Sequence, residues 1–299
     1  MKGLRIVIVL LWWLHFSPGC VAGTLAAFRI FIGISYGDVA VELYDQDKPV
    51  TVKNFIRLVQ SGAYQNSFFH RLEPVFVLQG GGYFTLNPMN SNLFSPPYAN
   101  LGVVPNFGNI TNEFGTGAFH SNTNGTIAMA KLGGDPNSAN SQFFFNLNDN
   151  SASLDDTNNN GGFTVFGRVI SGLNNVDFFN GFYKGNGIVS LTDKYGTNGI
   201  TSLFTELPNT LVGTNPPPYN DLIYFTVNIL TARGQVLTNG AVQITWLSVA
   251  NLTNNLEYST NLPPAWHVLT GAVGDGTHTF AFTDSTTNQS RFYRVHVLY

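Results

Sequence analysis

The sequence predicts a mainly β, turn-rich globular protein, and three observations support that class. Only 10% of its 299 residues are charged, while 31 are glycine and 25 are phenylalanine. Short segments in which apolar and polar residues alternate recur along the chain, which is the period of strands that bury one face. Clusters of Asn, Thr and Gly separate these segments and predict turns. This texture favours a β-rich fold over a helical bundle.

The first 22 residues have the organisation of a secretory signal peptide. A short basic start precedes the apolar run 6–13, which is too short to span a bilayer, and small residues follow at 19–23. We therefore predict cleavage after Ala22 and export of the mature protein to the periplasm, the cell surface or the medium. Lipid anchoring at Cys20 is the less favoured alternative.

Charge and cysteine content exclude several classes of function. A net charge of −3 gives no electrostatic footprint for nucleic acid or for an anionic membrane surface. Cys20 is the only cysteine and lies in the leader, so we predict no disulfide, no thiol nucleophile and no thiolate metal site in the mature chain. The histidines are scattered, and no metal or other cofactor is predicted. No later segment has the length of a transmembrane helix.

The mature chain first alternates strand and helix patterns. A helix is predicted to begin at Pro49 and to stop at Gly62, and a short second helix is predicted after Ser171. Segments 83–112 and 181–220 are rich in Asn, Pro and Gly and are predicted to be loops. Strands are predicted at residues 37–44, 67–71, 76–79, 125–131, 142–146, 164–170 and 221–230.

The C-terminal part, about residues 235–299, differs from what precedes it. It contains short strand-like runs at fairly regular spacing, separated by Asn, Thr and Gly turns. This arrangement is typical of a small β-sandwich. We therefore predict two domains in the mature chain, residues 24–231 and residues 236–299.

Three clusters combine polar side chains with aromatic residues at strand spacing. The first is residues 69–81, FHRLEPVFVLQGG; the second is 128–131, AMAK, followed by 140–145, NSQFFF; the third is Leu154-Asp155 with 163–169, FTVFGRV. In this order they resemble the cyclophilin family of peptidyl-prolyl cis–trans isomerases. The resemblance covers about residues 30–231, and it implies a closed eight-stranded antiparallel β-barrel capped by two helices.

The family pattern also implies roles for individual residues. Arg71 would be the catalytic arginine. Gln79 would form a hydrogen bond near the reacting amide, and Phe163 would cover the pocket. The remaining substrate-binding positions are the pocket walls Phe76, Val77, Phe144 and Leu154, and the backbone contacts at Ala130 and Lys131.

The chemistry of proline isomerisation agrees with this set of residues. Rotation of the peptide bond passes a barrier of about 18–20 kcal/mol because amide resonance is lost. No bond breaks, so neither a nucleophile nor a metal nor a proton donor is required. An arginine can donate to the prolyl nitrogen once its lone pair is released from resonance, which stabilises the twisted amide selectively. Apolar walls hold the ring in a dry pocket.

Each assignment has a structural alternative. Arg71 could be a surface ion-pair residue, and the aromatic residues could simply be core. Gln79 could serve only to satisfy backbone groups, and Lys131 is expected to act through its backbone more than through its charge. His70 is interpreted as a packing residue, because isomerisation needs no general base.

Other motifs lead to weaker interpretations. The glycines at 80–82 are followed by no Gly-Lys-Ser/Thr, so they predict a strand end and no phosphate loop. Residues 156–161 resemble the start of a calcium loop, but Gly167 occupies the position where the bidentate glutamate belongs. Two departures from the family are Ser153, where an aromatic residue is common, and a slightly long 132–140 segment. The first predicts weaker binding of cyclosporin-type inhibitors.

The sequence thus predicts an exported, signal-peptide-bearing peptidyl-prolyl cis–trans isomerase (rotamase) that assists protein folding. Its partners would be proline-containing polypeptides, with a surface or glycan partner of the C-terminal module left open. Two alternatives remain: a non-catalytic module that binds proline-containing peptides, and a surface protein whose main role lies in the C-terminal sandwich.

Overall fold

The structure, a computed structural model, describes residues 24–196, 202–212, 216–230, 233–248, 252–260, 265–275, 279–285 and 291–298. The predicted leader and Cys20 lie outside these residues. The described residues fall into two compact units, which divide between Ile229 and Leu230.

The first unit is built from short strands. They are β1 (Leu25–Ile32), β2 (Ser35–Leu43), β3 (Arg71–Glu73), β4 (Val77–Gly80), β5 (Tyr83–Thr85), β6 (Leu101–Val103), β7 (Thr126–Met129), β8 (Phe143–Asn146), β9 (Val165–Ser171), β10 (Tyr183–Lys184), β11 (Asn186–Val189), β12 (Leu207–Val212) and β13 (Tyr224–Leu230). The helices are α1 (Pro49–Gln60), α2 (Ser151–Leu154), α3 (Leu173–Asp177) and α4 (Leu191–Tyr195), with 3₁₀ turns at Phe178–Gly181 and Tyr219–Asp221.

Eight of these strands form one sheet, in the order β13-β1-β2-β9-β7-β8-β4-β3. Backbone hydrogen bonds also join its two ends, just before β3 and at the start of β13. The Phe69 N–H donates to the Ile223 carbonyl at 2.9 Å, and the Phe225 N–H donates to the Ser67 carbonyl at 3.1 Å. The sheet therefore closes on itself, and the predicted mainly β class with an eight-stranded antiparallel barrel is confirmed.

The interior of the barrel is filled with aromatic and aliphatic side chains. Phe28 packs against Phe55, Phe143, Phe145 and Phe225, with ring centroids 5.3–6.1 Å apart. The two predicted helices contribute to this core, because α1 buries one apolar face and α3 buries one valine. Burial on this scale is the main stabilising contribution to folding.

Helix α1 begins where its sequence predicts. Pro49 occupies the first turn, where a missing N–H costs nothing. The next two N–H groups donate to the carboxylate of Glu113, at 3.0 and 2.7 Å. A negative charge at a helix N-terminus is stabilising. The long segment before β7 is therefore tied to the start of α1.

The prediction that residues 83–112 and 181–220 are loops is wrong in part. The first contains the β5–β6 pair, and the second contains the three-stranded sheet β10-β11-β12. Together with Phe68 and Leu222, the two segments form a second apolar core that is separate from the barrel interior. Its buried members are Phe68, Phe94, Tyr98, Val189, Leu191, Phe204, Leu207, Tyr219 and Leu222. Because Asn, Pro and Gly interrupt these segments so often, no strand period is visible in the sequence.

The second unit has strands β14 (Arg233–Val236), β15 (Val242–Leu247), β16 (Thr253–Ser259), β17 (His267–Val273), β18 (Thr279–Asp284) and β19 (Phe292–Leu298). They form two three-stranded sheets, β14-β15-β18 and β17-β16-β19. Ile244 and Trp246 from the first sheet share one core with Leu256 from the second. This packing confirms the predicted small C-terminal β-sandwich.

No helix within the described ranges combines the length and the apolar character needed to cross a membrane.

Candidate active site

The candidate site lies on the outer face of the barrel sheet. Strand registers place Arg71 opposite Gln79, Gln79 opposite Phe144, and Phe144 opposite Ala128. Residues paired across neighbouring strands point to the same face, and their neighbours in sequence point to the other. The alternate residues of β4 and β8 belong to the barrel core. One row of side chains across β3, β4, β8 and β7 thus faces away from the core.

An apolar cluster forms beside this row. Val77, Phe144 and Leu154 are its buried members among the predicted pocket residues, and Phe76, Ala130 and Phe163 pack against them half-buried. The rings of Phe144 and Phe163 meet edge to face at 6.0 Å. The structure therefore brings together six predicted site residues from segments that are up to 87 positions apart in sequence (76 to 163).

Arg71 stands at one edge of the cluster. Its guanidinium lies 5.9 Å from the centre of the Phe76 ring. Its Nη2 contacts the carboxylate of Glu73, and its Nε lies 2.8 Å from an oxygen of Glu206. The side chain is 34% exposed. The arginine is therefore accessible from solvent and held by two carboxylates.

Gln79 lies between Arg71 and Phe144 in the row. Its side-chain amide donates to the Gln142 side-chain oxygen at 2.8 Å. After β4 the chain turns sharply at Gly81, where φ is +77° and an added Cβ would lie 2.4 Å from the Ser141 carbonyl oxygen. Only glycine fits there. This close approach brings the Gln142 segment within reach of Gln79.

Lys131 borders the cluster on the opposite side from the arginine strand. Its ammonium group donates to the backbone carbonyls of Asn160 and Gly162 at 2.7 and 2.5 Å, and it lies 4.7 Å from the centre of the Phe163 ring. Burial lowers the pKa of Lys131 to about 8. The lysine side chain thus ties the 160–163 turn to the strand that carries Ala130.

A buried network of asparagines supports the cluster from behind. Asn146 donates to the side chains of Asn122 and Thr126, at 3.1 and 2.8 Å, and accepts from Asn150 at 2.7 Å. Asn150 also donates to the Phe76 carbonyl at 2.8 Å. Asn122 donates to the Phe163 carbonyl, at 2.9 Å. Such a satisfied network rigidifies its surroundings, here the backbone behind two pocket residues.

His70 is buried, although its neighbour Arg71 is not. Its side chain is shielded from solvent and lies next to the Tyr83 ring, with ring centroids 5.1 Å apart. Burial, and to a smaller extent the charge of Arg71, lower the pKa of His70 to about 4, although a hydrogen bond with Gln142 opposes the shift. The histidine is therefore neutral at physiological pH.

Sequence reasoning missed several members of the site. Ala128 and Val165 belong to the apolar cluster, and strand alternation around Ala130 and Phe163 could have found them. Glu73 could have been found by its two-residue spacing from Arg71. The glutamate at 206 and the asparagine network carry no sequence signal. Among the described residues, no group of three or more His, Cys, Asp or Glu side chains could hold a metal ion.

Comparison with known proteins agrees with the fold and with the clustered motifs. A sequence model of the family described as "Cyclophilin type peptidyl-prolyl cis-trans isomerase/CLD" matches residues 29–193. Peptidyl-prolyl cis-trans isomerase A of Dickeya dadantii is 36% identical over 174 residues, which cover 58% of this chain and 81% of that protein. A peptidyl-prolyl cis-trans isomerase of Acinetobacter baylyi is 34% identical with the same coverage.

Among solved structures, a cyclophilin-type peptidyl-prolyl cis-trans isomerase of Cryptosporidium parvum is 20% identical, with a TM-score of 0.42. That match covers 70% of this chain and 98% of the other. The family assignment rests on the sequence match, which extends over more than half of the chain. The chain belongs to the cyclophilin-type peptidyl-prolyl cis–trans isomerase family.

Proposed function

We propose that this protein accelerates rotation about X–Pro peptide bonds in exported polypeptides and thereby assists their folding, with Arg71 as the catalytic residue. The observation that carries the proposal is the position of Arg71, whose side chain is 34% exposed, at the edge of an apolar cluster that contains six of the predicted site residues. The uncatalysed step takes tens to hundreds of seconds, slow enough to limit folding.

The arginine supplies the electrostatic part of catalysis. As the amide twists, the prolyl nitrogen regains a lone pair that the planar ground state does not offer. A guanidinium N–H beside that nitrogen is bound more strongly in the twisted state than in either planar isomer. Such differential binding is what lowers a barrier. Gln79, next to Arg71 in the row, is the second donor that we assign to the substrate backbone.

The apolar cluster supplies the positional part. Phe76, Val77, Phe144 and Leu154 would hold the proline ring, and Phe163 would close over it. A ring that is fixed in a dry site leaves only the preceding residue free to rotate. The backbone of Ala130 and Lys131 would bind the extended substrate on the far side of the ring.

A prolyl-isomerisation assay on the full chain tests the proposal. Arg71→Ala should lower kcat/KM about 100-fold or more, the usual effect of removing one donor that acts in the transition state. Arg57→Ala is the matched control, because that arginine lies on α1 and stacks on Phe107 at 3.6 Å, away from the row. It should leave turnover unchanged.

The same assay separates the alternatives. A wild-type chain that binds proline-containing peptides without accelerating their isomerisation would be a binding module. Equal rates for wild type and Arg71→Ala would refute the role of the arginine. Removing residues 236–299 addresses the C-terminal sandwich: retained turnover would place the chemistry in the barrel, and lost turnover would give the sandwich a part in it.

We further propose that residues 1–22 direct export and that residues 24–231 and 236–299 are the isomerase and sandwich domains. The support for export is the basic start, the short apolar run and the small residues near Ala22. The support for the two domains is the division of the described residues into two compact units between Ile229 and Leu230. N-terminal sequencing of the protein from culture medium and periplasm tests the cleavage site. An uncleaved chain retained in the cytoplasm contradicts it.

A further inference from the structure

Glu206, the residue just before β12, contacts the candidate site with its side chain. Its carboxylate lies 2.8 Å from Nε of Arg71, while the carboxylate of Glu73 contacts Nη2. Neither contact uses Nη1, whose two N–H groups therefore remain for a substrate. The arginine is held on one edge of its guanidinium and presented on the other.

The backbone of Glu206 is fixed against the strand that carries Arg71. The Leu72 N–H donates to the Glu206 carbonyl at 2.8 Å. On either side of it, Phe204 and Leu207 are fully buried in the second core. Leu207 also pairs with Val189 in the small three-stranded sheet. The backbone of Glu206 is thus fixed beside the arginine strand, and its side chain, which is 35% exposed, reaches the guanidinium from there.

The backbone of Arg71 is likewise paired, with Gln79 of β4, so what remains to be fixed is the orientation of its long side chain. Arg71 begins the three-residue strand β3, and its side chain is about one-third exposed. An arginine side chain carries about 2 kcal/mol of rotamer entropy. Since a half-exposed ion pair adds little to stability, the consequence of this contact is orientation of the guanidinium.

We propose that Glu206 is a positioning residue that holds Arg71 in its catalytic orientation, so that the second apolar core, in which its neighbours Phe204 and Leu207 are buried, supports the isomerase site. This inference rests on the proposed function. It makes the small sheet β10-β11-β12, which lies outside the predicted motifs, a determinant of turnover. Glu206 touches no reacting atom and acts only through Arg71.

The first test is a series of substitutions at Glu206. Glu206→Ala should lower kcat/KM about tenfold, mainly through kcat, since misplacing a catalytic group by about 1 Å can cost up to 100-fold. Glu206→Gln keeps an acceptor oxygen and should restore part of the loss. Asp193→Asn is the matched control, because this exposed carboxylate on α4 pairs with Lys184 at 2.6 Å. It should not change turnover.

The second test is a double-mutant cycle, which a merely structural role would not pass. In the Arg71→Ala background, Glu206→Ala should change the residual rate less than twofold, because a residue that acts through Arg71 has nothing left to act on. NMR of the Arg71 Nε–H group gives an independent readout. Its signal should broaden or shift in Glu206→Ala and stay unchanged in Asp193→Asn.

The outcomes separate this inference from the proposed function. If wild type is active and Arg71→Ala is not, the proposed function stands. Equal or higher activity in Glu206→Ala would then overturn the positioning role alone. An equal loss with and without Arg71 would also overturn it, since the glutamate would then act on the fold. A wild type without turnover would remove the proposed function itself.

Discussion

The two faces of the barrel sheet both carry phenylalanines, but these side chains have different surroundings on each face. Phe143 and Phe145 point into the core and are completely buried, where each contacts several other rings. Phe144, between them, points outward into the small apolar cluster with Phe163. Strand alternation therefore places two of three consecutive phenylalanines in the core and the third in the cluster that we propose binds proline. A site built on such a strand inherits the rigidity of the core behind it.

The largest expected effect comes from alanine substitutions at two neighbouring positions, one on each face of β8. Phe145→Ala should lower the free energy of unfolding of the first unit by about 3–5 kcal/mol, because a large cavity remains in a ring-packed core. Phe144→Ala should cost roughly half as much, because its cluster is smaller and lies near the surface, but it should raise KM for proline peptides several-fold.

Hydrogen exchange of β4 and β8 amides is the appropriate measurement. All four tryptophans lie outside residues 24–230, at positions 12, 13, 246 and 266, so their fluorescence does not follow the barrel. Peptide-resolved exchange reports the barrel directly. Equal destabilisation by Phe144→Ala and Phe145→Ala, with unchanged KM in both, would show that the two faces are not functionally distinct.

The same contrast explains what could be predicted from sequence. Period-two alternation marked the region of β2, strand-like runs marked the regions of β4, β7, β8, β9 and β13, and the motifs marked six residues of the apolar cluster. These features depend on local pattern. Strand β1 and the small sheets β5-β6 and β10-β11-β12 were missed, since their pairing depends on contacts between distant segments.

Glu206 was out of reach for the same reason. Its contact with Arg71 joins positions that are 135 apart in sequence, and no periodic pattern of apolar residues predicts the core beside it. The asparagine network is similar, because an asparagine looks the same in a turn as in a buried network. Roles assigned by motif therefore stay proposals until variants are measured.

A second prediction contrasts two consecutive ionisable residues, the buried His70 and the partly exposed Arg71. His70 is buried with a pKa near 4, against an ordinary value of about 6.5. The unfolded chain therefore binds a proton between these values that the folded chain does not. The free energy of unfolding should therefore fall by roughly 1–3 kcal/mol as the pH drops from 6.5 to 4. This contribution of His70 to stability is fully present above pH 6.5.

His70→Phe removes the titrating group, and barrel hydrogen exchange at pH 7 and pH 4.5 measures the difference. The stability lost between these pH values should be smaller in His70→Phe than in wild type, whatever the baseline stability of the variant. His267→Asn, an exposed histidine of the second unit, is the control and should leave the barrel's loss unchanged. An identical loss in His70→Phe and wild type would mean that the histidine is not a buried neutral group.

The smallest expected effect concerns the turn between the arginine strand and the pocket wall. Val75 has a φ of +60°, a conformation that is strained for a β-branched residue, and its side chain is exposed. Val75→Gly should stabilise the barrel by about 0.5–1 kcal/mol, because relieved strain outweighs the added chain entropy. Turnover should stay within twofold, since the backbone bond from Val75 N–H to the Asn180 side chain, at 2.7 Å, does not need the valine. Asn66→Gly, at φ +58° in a residue that tolerates this region, is the matched control and should gain less. A loss of stability in Val75→Gly would show that the valine packs favourably enough to offset its backbone, and the outer face would then contribute to stability at this turn as well.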